Sequence, residues 1–237
     1  MRLFELFEPE FKDTKKTVNY DRRTLAKKGY DSPPSDNELG RGLYSVVKHD
    51  PSDNHMVVKS EKGAYASEFM DRNAYYAWVK TIAPYMKSNP YLPRVYVVDD
   101  RTDARGSKNP RYKMEKLYSP TELSMDALLG MAEKMQGDGA VDEDAALNVY
   151  NTYYHGEFET EEIAFEKFKL WFWKEHVVNL DFLHQARKHD DNLQQAFDLV
   201  KSLVSTSDHF TTDMHSGNFM VRLTPYGPQL VFTDPIA

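Results

Sequence analysis

The sequence predicts an α+β protein in which a small strand-rich half precedes a mainly helical half. Three observations carry that expectation. Runs of β-branched residues pair up in the first half, 3.6-residue apolar periodicity fills most of the second, and a hairpin follows the last helix. With 237 residues, 41% of them hydrophobic, the chain can build one domain of two lobes or two small domains. The expected division is 1–118 for an N-terminal arm and small lobe, and 119–237 for a helical lobe.

Residues 1–30 are polar. From Lys12 to Lys28, seven basic residues (Lys12, Lys15, Lys16, Arg22, Arg23, Lys27 and Lys28) stand against Asp13 and Asp21. Such a run is ordinarily a solvated surface; the sharper reading is an arm that docks an acidic partner. "DSPPSDNELG" at 31–40 is a loop, because two prolines and a Ser/Asp/Asn cluster propagate neither helix nor sheet. "GRGLYSVVKHD" and "HMVVKS" read as two strands joined through "DPSDN". Residues 65–83 read as a helix, with Phe69, Tyr76 and Val79 at helical spacing and Pro84 ending it. "PRVYVVDD" and "RYKMEKLY" form a second strand pair across a polar, Gly-containing link.

In the second half, Thr121 or Ser119 caps a helix that reaches about Gln136 and breaks at "GDG". "VDEDAALNVYNTYY" is a short helix. A long helix is expected over 160–184, where Phe165, Phe168, Trp171 and Phe172 sit at 3–4 spacing. That aromatic stripe reads as core, with Trp171 or Trp173 as the alternative for a partner interface. His176, His184 and His189 read as surface or satisfied residues. Residues 192–206 are amphipathic, with Leu193, Phe197, Val200 and Val204 on one face. "FMVRL" and "QLVFT", joined by "TPYGP", close the pattern as a hairpin.

Composition excludes several classes. There are no cysteines, so disulfides, thiolate nucleophiles and thiolate metal sites are absent, which fits a reducing cytoplasm. A formal charge of −7 gives no global attraction for nucleic acid. No run has the roughly 18 apolar residues of a membrane helix, and Glu5, Glu8 and Glu10 interrupt the stretch where a signal peptide would be apolar. Neither a nucleic-acid nor a membrane partner is expected.

The chemistry concentrates near the end. Asp213 and Asn218 follow the amphipathic helix, and Asp234 follows the second strand of the hairpin. A hairpin brings its start and end together, so Asn218 and Asp234 should be neighbours with Asp213 one loop away. Their oxygens suit Mg²⁺, and a carboxylate outside the metal shell can take a proton from a hydroxyl. One base and two metal ligands are what phosphoryl transfer needs, together with a phosphate cover and a cation on the nucleotide. Gly40 and Gly42 let a backbone approach phosphates, and Lys59, seventeen residues after Gly42, ends an apolar strand.

Taken together, these motifs resemble the protein-kinase-like fold. "GRGLYS" looks like its glycine loop, "VVK" its lysine strand, "DMHSGN" its Asp-x4-Asn catalytic loop, and "TDP" stands where Asp-Phe-Gly usually does. A narrower resemblance is to the early serine/threonine protein kinases of autographivirus-type bacteriophages, which carry a similar "DMHSGN…TDP" block and a "PxVY" strand, here "LPRVYVV". The likeness spans roughly residues 38–117 and 192–236. It implies a bilobal fold with ATP and Mg²⁺ as cofactors. Asp213 would be the catalytic base and Asn218 and Asp234 the metal ligands. Lys59 would contact the α/β-phosphates, and Gly40, Arg41 and Gly42 would cover them with their backbone. Glu68 or Asp71, three apart on one helical face, would orient Lys59, with Glu68 favoured for reach. Glu115 and Leu117, in the hinge Met114–Leu117, would offer backbone groups to adenine. His215 stands where many protein kinases place a lysine near the γ-phosphate, as in small-molecule phosphotransferases of the same superfamily. The implied partners are host bacterial proteins, the transcription machinery and RNA polymerase included.

The sequence departs from that pattern in two places. Thr211-Thr212-Asp213 replaces His-Arg-Asp, and the sequence stops three residues after Asp234. The expectation is therefore a fold lacking the activation segment and later helices, with substrate held by the 119–160 insertion or the 12–28 arm. A serine/threonine protein kinase is the leading reading. A small-molecule phosphotransferase and a pseudokinase that inhibits a host factor by binding are the alternatives. A transition-metal site at His209, Asp213 and His215 would leave Asn218 and Lys59 without a role.

Overall fold

The computed structural model describes residues 38–41, 45–61, 73–99, 111–137, 141–156 and 160–237. Five antiparallel strands form the first sheet: β1 (Glu38–Arg41), β2 (Ser45–Asp50), β3 (Asp53–Glu61), β4 (Val95–Asp99) and β5 (Arg111–Glu115). Their spatial order is β1-β2-β3-β5-β4, so β3 is central. The β2–β3 turn forms because Asp50 accepts hydrogen bonds from both the amide and the hydroxyl of Ser52, at 2.8 and 2.6 Å, while Pro51 fixes its own φ. The single strand expected over 40–50 is instead two, β1 and β2. Gly40 pairs with Val47 and Arg41 with Val46.

Helix α1 (Ala74–Ile82) follows the sheet's first three strands. Asn73 caps it by accepting from the Tyr76 amide at 2.7 Å. Tyr75, Trp78, Val79 and Ile82 recur at i, i+3, i+4 and i+7 and are all buried. Of the helix expected over 65–83, residues 65–72 lie outside the described residues, as does the basic arm at 12–28.

The helical half contains α2 (Met125–Gln136), α3 (Glu143–Gly156), α4 (Glu161–Phe172), a π turn over Trp173–Val177, α5 (Leu180–Ala186) and α6 (Asp191–Ser205). Two sequence expectations are corrected here. Ser119 caps only a 3₁₀ turn, Pro120–Glu122, in a capping box with Glu122; Ser124 caps α2, accepting from the Ala127 amide. The long helix over 160–184 is interrupted, because the π turn widens it and Asn179 then starts α5 by accepting from the Asp181 amide at 3.0 Å. His176 in that turn is a third correction. Its ring packs on Phe172 and Trp171, its Nδ1 has no hydrogen-bond partner among the described residues, and burial lowers its pKa.

The last strands, β6 (Phe219–Thr224) and β7 (Gly227–Phe232), form the expected hairpin, with Gly227 at φ 107 closing the turn. The chain passes between the halves at Lys116–Ser119. Lys116 donates to the His55 carbonyl on the sheet side, and Tyr118 exchanges two backbone hydrogen bonds with Val221 of β6. A second tie runs through the segment after α1. Asn89 donates to Asn192 and Gln195 of α6, and the Tyr91 hydroxyl donates to Asp190 at 2.6 Å. One apolar cluster runs from Tyr75 and Trp78 through α2, α4 and α6 to Phe219, Leu230 and Phe232. The result is the expected α+β arrangement in two halves: a strand-built lobe, a helical lobe, and a hairpin at the seam. Among the described residues no helix is long and apolar enough to cross a membrane.

Candidate functional site

Lys59 stands on the central strand, where β2 and β5 flank it. One rung of the sheet runs Gly40–Val47–Lys59–Tyr112. Two inter-strand spacings put the Gly40 backbone roughly 10 Å from that of Lys59. Lys59 is 8% exposed, so its ammonium needs partners. It has two. The Nζ atom lies 3.2 Å from the centroid of the Tyr75 ring, and it donates to Asp234 Oδ2 at 2.9 Å across the seam. Tyr75 is fixed in turn by an edge contact with the Tyr112 ring, centroids 4.8 Å apart, and by its hydroxyl donating to Met114 Sδ.

The other side of the seam is built from main chain. Phe210 anchors its start in the core. Thr211 exchanges backbone hydrogen bonds with Ala237, and the Asp213 amide donates to the Pro235 carbonyl at 2.9 Å. The Thr233 amide and hydroxyl both donate to the Asn218 carbonyl. These bonds zip 211–213 and 218 against 233–237, which places Asp213, Asn218 and Asp234 in one cleft. Asn218 Nδ2 donates to the carbonyl and to Oδ2 of Asp213, at 2.7 and 2.9 Å. Its amide nitrogen is thereby committed and its side-chain oxygen is the atom left for a cation. The oxygens of Asn218 and Asp234 form a hard-donor pair suited to Mg²⁺ with phosphate and water completing the shell. Among the described residues no three His, Cys, Asp or Glu side chains gather in a metal-holding group, which removes the His209/Asp213/His215 alternative.

His215 Nδ1 accepts from the Gly217 amide at 3.0 Å, which assigns the proton of a neutral ring to Nε2. That Nε2 is 3.7 Å from Asp213 Oδ2, too long for a hydrogen bond. Gly217 has a steric reason. A Cβ there would stand 2.8 Å from His215 Cε1.

The remaining sequence-predicted residues divide. Gly40 and Arg41 are in β1; Gly42, Glu68 and Asp71 lie outside the described residues. Leu117 is buried at the crossing. The Glu115 amide, expected to be offered to adenine, instead donates to the Arg94 carbonyl at 3.0 Å, and its carboxylate accepts from Arg222 and from the Arg94 amide. Arg222, on β6 and 8% exposed, also donates to the carbonyls of Pro90 and Leu92. It locks the hairpin to β5, and its signal in the sequence was a charge inside the apolar run "FMVRL". Tyr75 was missed as well, and Trp173, the alternative for a partner interface, is instead buried at 1% exposure. The Trp173 indole donates to the Ser216 carbonyl at 3.2 Å and braces the 213–218 loop. Beside that brace is a cavity of about 510 Å³ between α4 and the loop, lined by Lys167, Trp171, Trp173, Lys174, Ser216 and Gly217 among others.

No protein-family model matches the chain, and a search of curated proteins finds no match. Two solved structures are similar to it. One is the GDP and kanamycin complex of APH(2")-IIIa, at 17% identity and a TM-score of 0.35, covering 92% of this chain and 73% of that one. The other is the GDP complex of a point mutant of aminoglycoside 2'-phosphotransferase-IIIa, at 16% identity and a TM-score of 0.34, covering 94% and 73%.

Proposed function

We propose that the protein is an ATP- and Mg²⁺-dependent phosphotransferase. One observation carries the reading. Lys59 from the sheet and Asp234 from the hairpin meet at 2.9 Å, with Asn218 bonded to Asp213 in the same cleft. Bound at Asn218 and Asp234, Mg²⁺ would draw off charge from the phosphate oxygens. Lys59 holds the α/β-phosphates, and the β1 backbone at Gly40 covers them. Asp213 takes the proton of the acceptor hydroxyl as its oxygen bonds to the γ-phosphorus. The bond from that phosphorus to the β–γ bridging oxygen breaks, and ADP leaves with the electron pair.

For the acceptor, the sequence resemblance supports a serine or threonine hydroxyl of a host protein, RNA polymerase among the targets, in a bacterial cytoplasm. A second reading, a small-molecule acceptor, is favoured by the open, partly apolar cavity beside the 213–218 loop and by His215. Incubation with γ-labelled ATP and bacterial lysate separates them. Labelled protein bands that vanish in Asp213→Asn support the first, and label confined to small molecules supports the second. Absence of any Asp213-dependent label, with full biological effect of the variant, would leave a protein that acts by binding and would sink phosphotransfer.

A further inference from the structure

The wall of the cavity beside the catalytic loop has a chemical character opposite to that of the chain. Lys167, Leu170, Trp171 and Lys174 fall at i, i+3, i+4 and i+7, so α4 and its π-turn extension present them on one face. Ser216 and Gly217 stand across from them, held there by the Trp173–Ser216 hydrogen bond. Among the described residues that line the cavity there are two ammonium groups and no carboxylate. Lys174 has Glu175 within 3.1 Å, but its side chain is 68% exposed, and water screens such a pair heavily. In a chain of net charge −7, this is a local positive wall with an indole face set into it.

We propose that this cavity seats the phosphoacceptor, and that the acceptor is a small molecule with an anionic group and a flat or apolar body. The inference rests on the phosphotransfer reading and narrows its second form. A volume of about 510 Å³ lies within the range of clefts that take a small-molecule ligand, here with one side open to water. The two lysines fit a phosphate or carboxylate, and Trp171 and Leu170 fit the body. A polyamine would meet like charge. Opening onto Ser216 and Gly217 puts the bound molecule beside the loop that carries Asp213.

Tryptophan fluorescence tests the site without requiring turnover, using the full chain with phenyl phosphate, phenol and tyramine as probes of matched ring and different charge. Phenyl phosphate should give a saturable change that Trp171→Phe diminishes. Phenol and tyramine should bind on the order of tenfold more weakly or worse. Lys167→Glu with Lys174→Glu should abolish phenyl phosphate binding, and Asp213→Asn should keep it. Both lysines are exposed, so thermal melting should show the double variant folded; Lys167→Gln with Lys174→Gln, giving intermediate affinity, provides a second arm. Tyramine binding as tightly as phenyl phosphate, affinity indifferent to the lysines, or tighter lysine-dependent binding of a polyglutamate peptide would each overturn the proposal. ATP turnover measured in parallel keeps the two ideas apart. Lysine-dependent binding without Asp213-dependent turnover defeats phosphotransfer and leaves an anion site. Acceptor turnover untouched by the double charge reversal defeats the site alone.

Discussion

Lys59 and Asp213 are held in place by opposite means. Lys59 is enclosed: its strand is central, its side chain is 10% exposed, and a tyrosine ring lies against its ammonium. Asp213 has a side chain 42% exposed, yet its backbone is pinned on both sides of the loop, to Pro235 and, through Asn218, to Thr233. A cation can be positioned by packing because its long stem buries well. A short carboxylate that must meet a substrate has to stay open, so the chain fixes its main chain instead. The difference teaches that the two halves of the cleft should fail differently when altered.

The largest effect should come from the open side. Asp213→Ala is expected to lower kcat by about 10²–10⁴-fold, as loss of a general base does, with little change in Tm because the backbone ladder stays intact. ATP turnover beside a thermal melt checks both halves of that statement. Lys59→Met comes next, at roughly a hundredfold in turnover, as for removal of one preorganised charge. Its melting point should hold within a few degrees, since Met fills the buried path and Asp234, 37% exposed, regains water. A collapse of the fold in Lys59→Met would show that the ammonium, not its stem, holds the sheet to the hairpin.

Gly217→Ala sharpens the comparison within the loop. The added methyl would press on the His215 ring, so about a tenfold loss in kcat is expected with stability changed by less than about 1 kcal/mol. Unchanged kinetics would mean that the ring position does not matter. The smallest effect belongs to the sheet. The hydrogen bond from Lys113, followed by those from Ser52, lowers the Asp50 carboxyl from 3.8 to about 2. A depressed carboxyl contributes stability above its unfolded value and loses it as pH falls through the folded one. The gap in Tm between wild type and Asp50→Asn should therefore shrink as the pH falls from 3.8 to about 2. A gap that stays constant across that window would assign the loss elsewhere.

Much of the cleft was readable in the sequence because its spacing is local. Asp213 and Asn218 share one loop, and a hairpin of known type brings Asp234 back to them. The strand carrying Lys59 was equally plain from its apolar run. What was hidden depends on distant packing. Nothing near Tyr75 says that its ring will meet an ammonium sixteen positions earlier. The split of β1 from β2 was hidden because "GRGLYSVV" continues the apolar pattern through the reversal. The π turn was hidden for a similar reason, since aromatic spacing persists through Trp173 while the hydrogen bonding changes. Arg222 left a visible clue, but a charge in an apolar run does not announce which carbonyls it will bond.

The Lys59–Asp234 contact has a bearing on the order in which the cleft is filled. Asp234 already has a counterion supplied from within the chain. Under the proposed phosphotransfer, a divalent ion at Asp234 would compete with that ammonium, and a triphosphate arriving with the ion would offer Lys59 other oxygens to turn to.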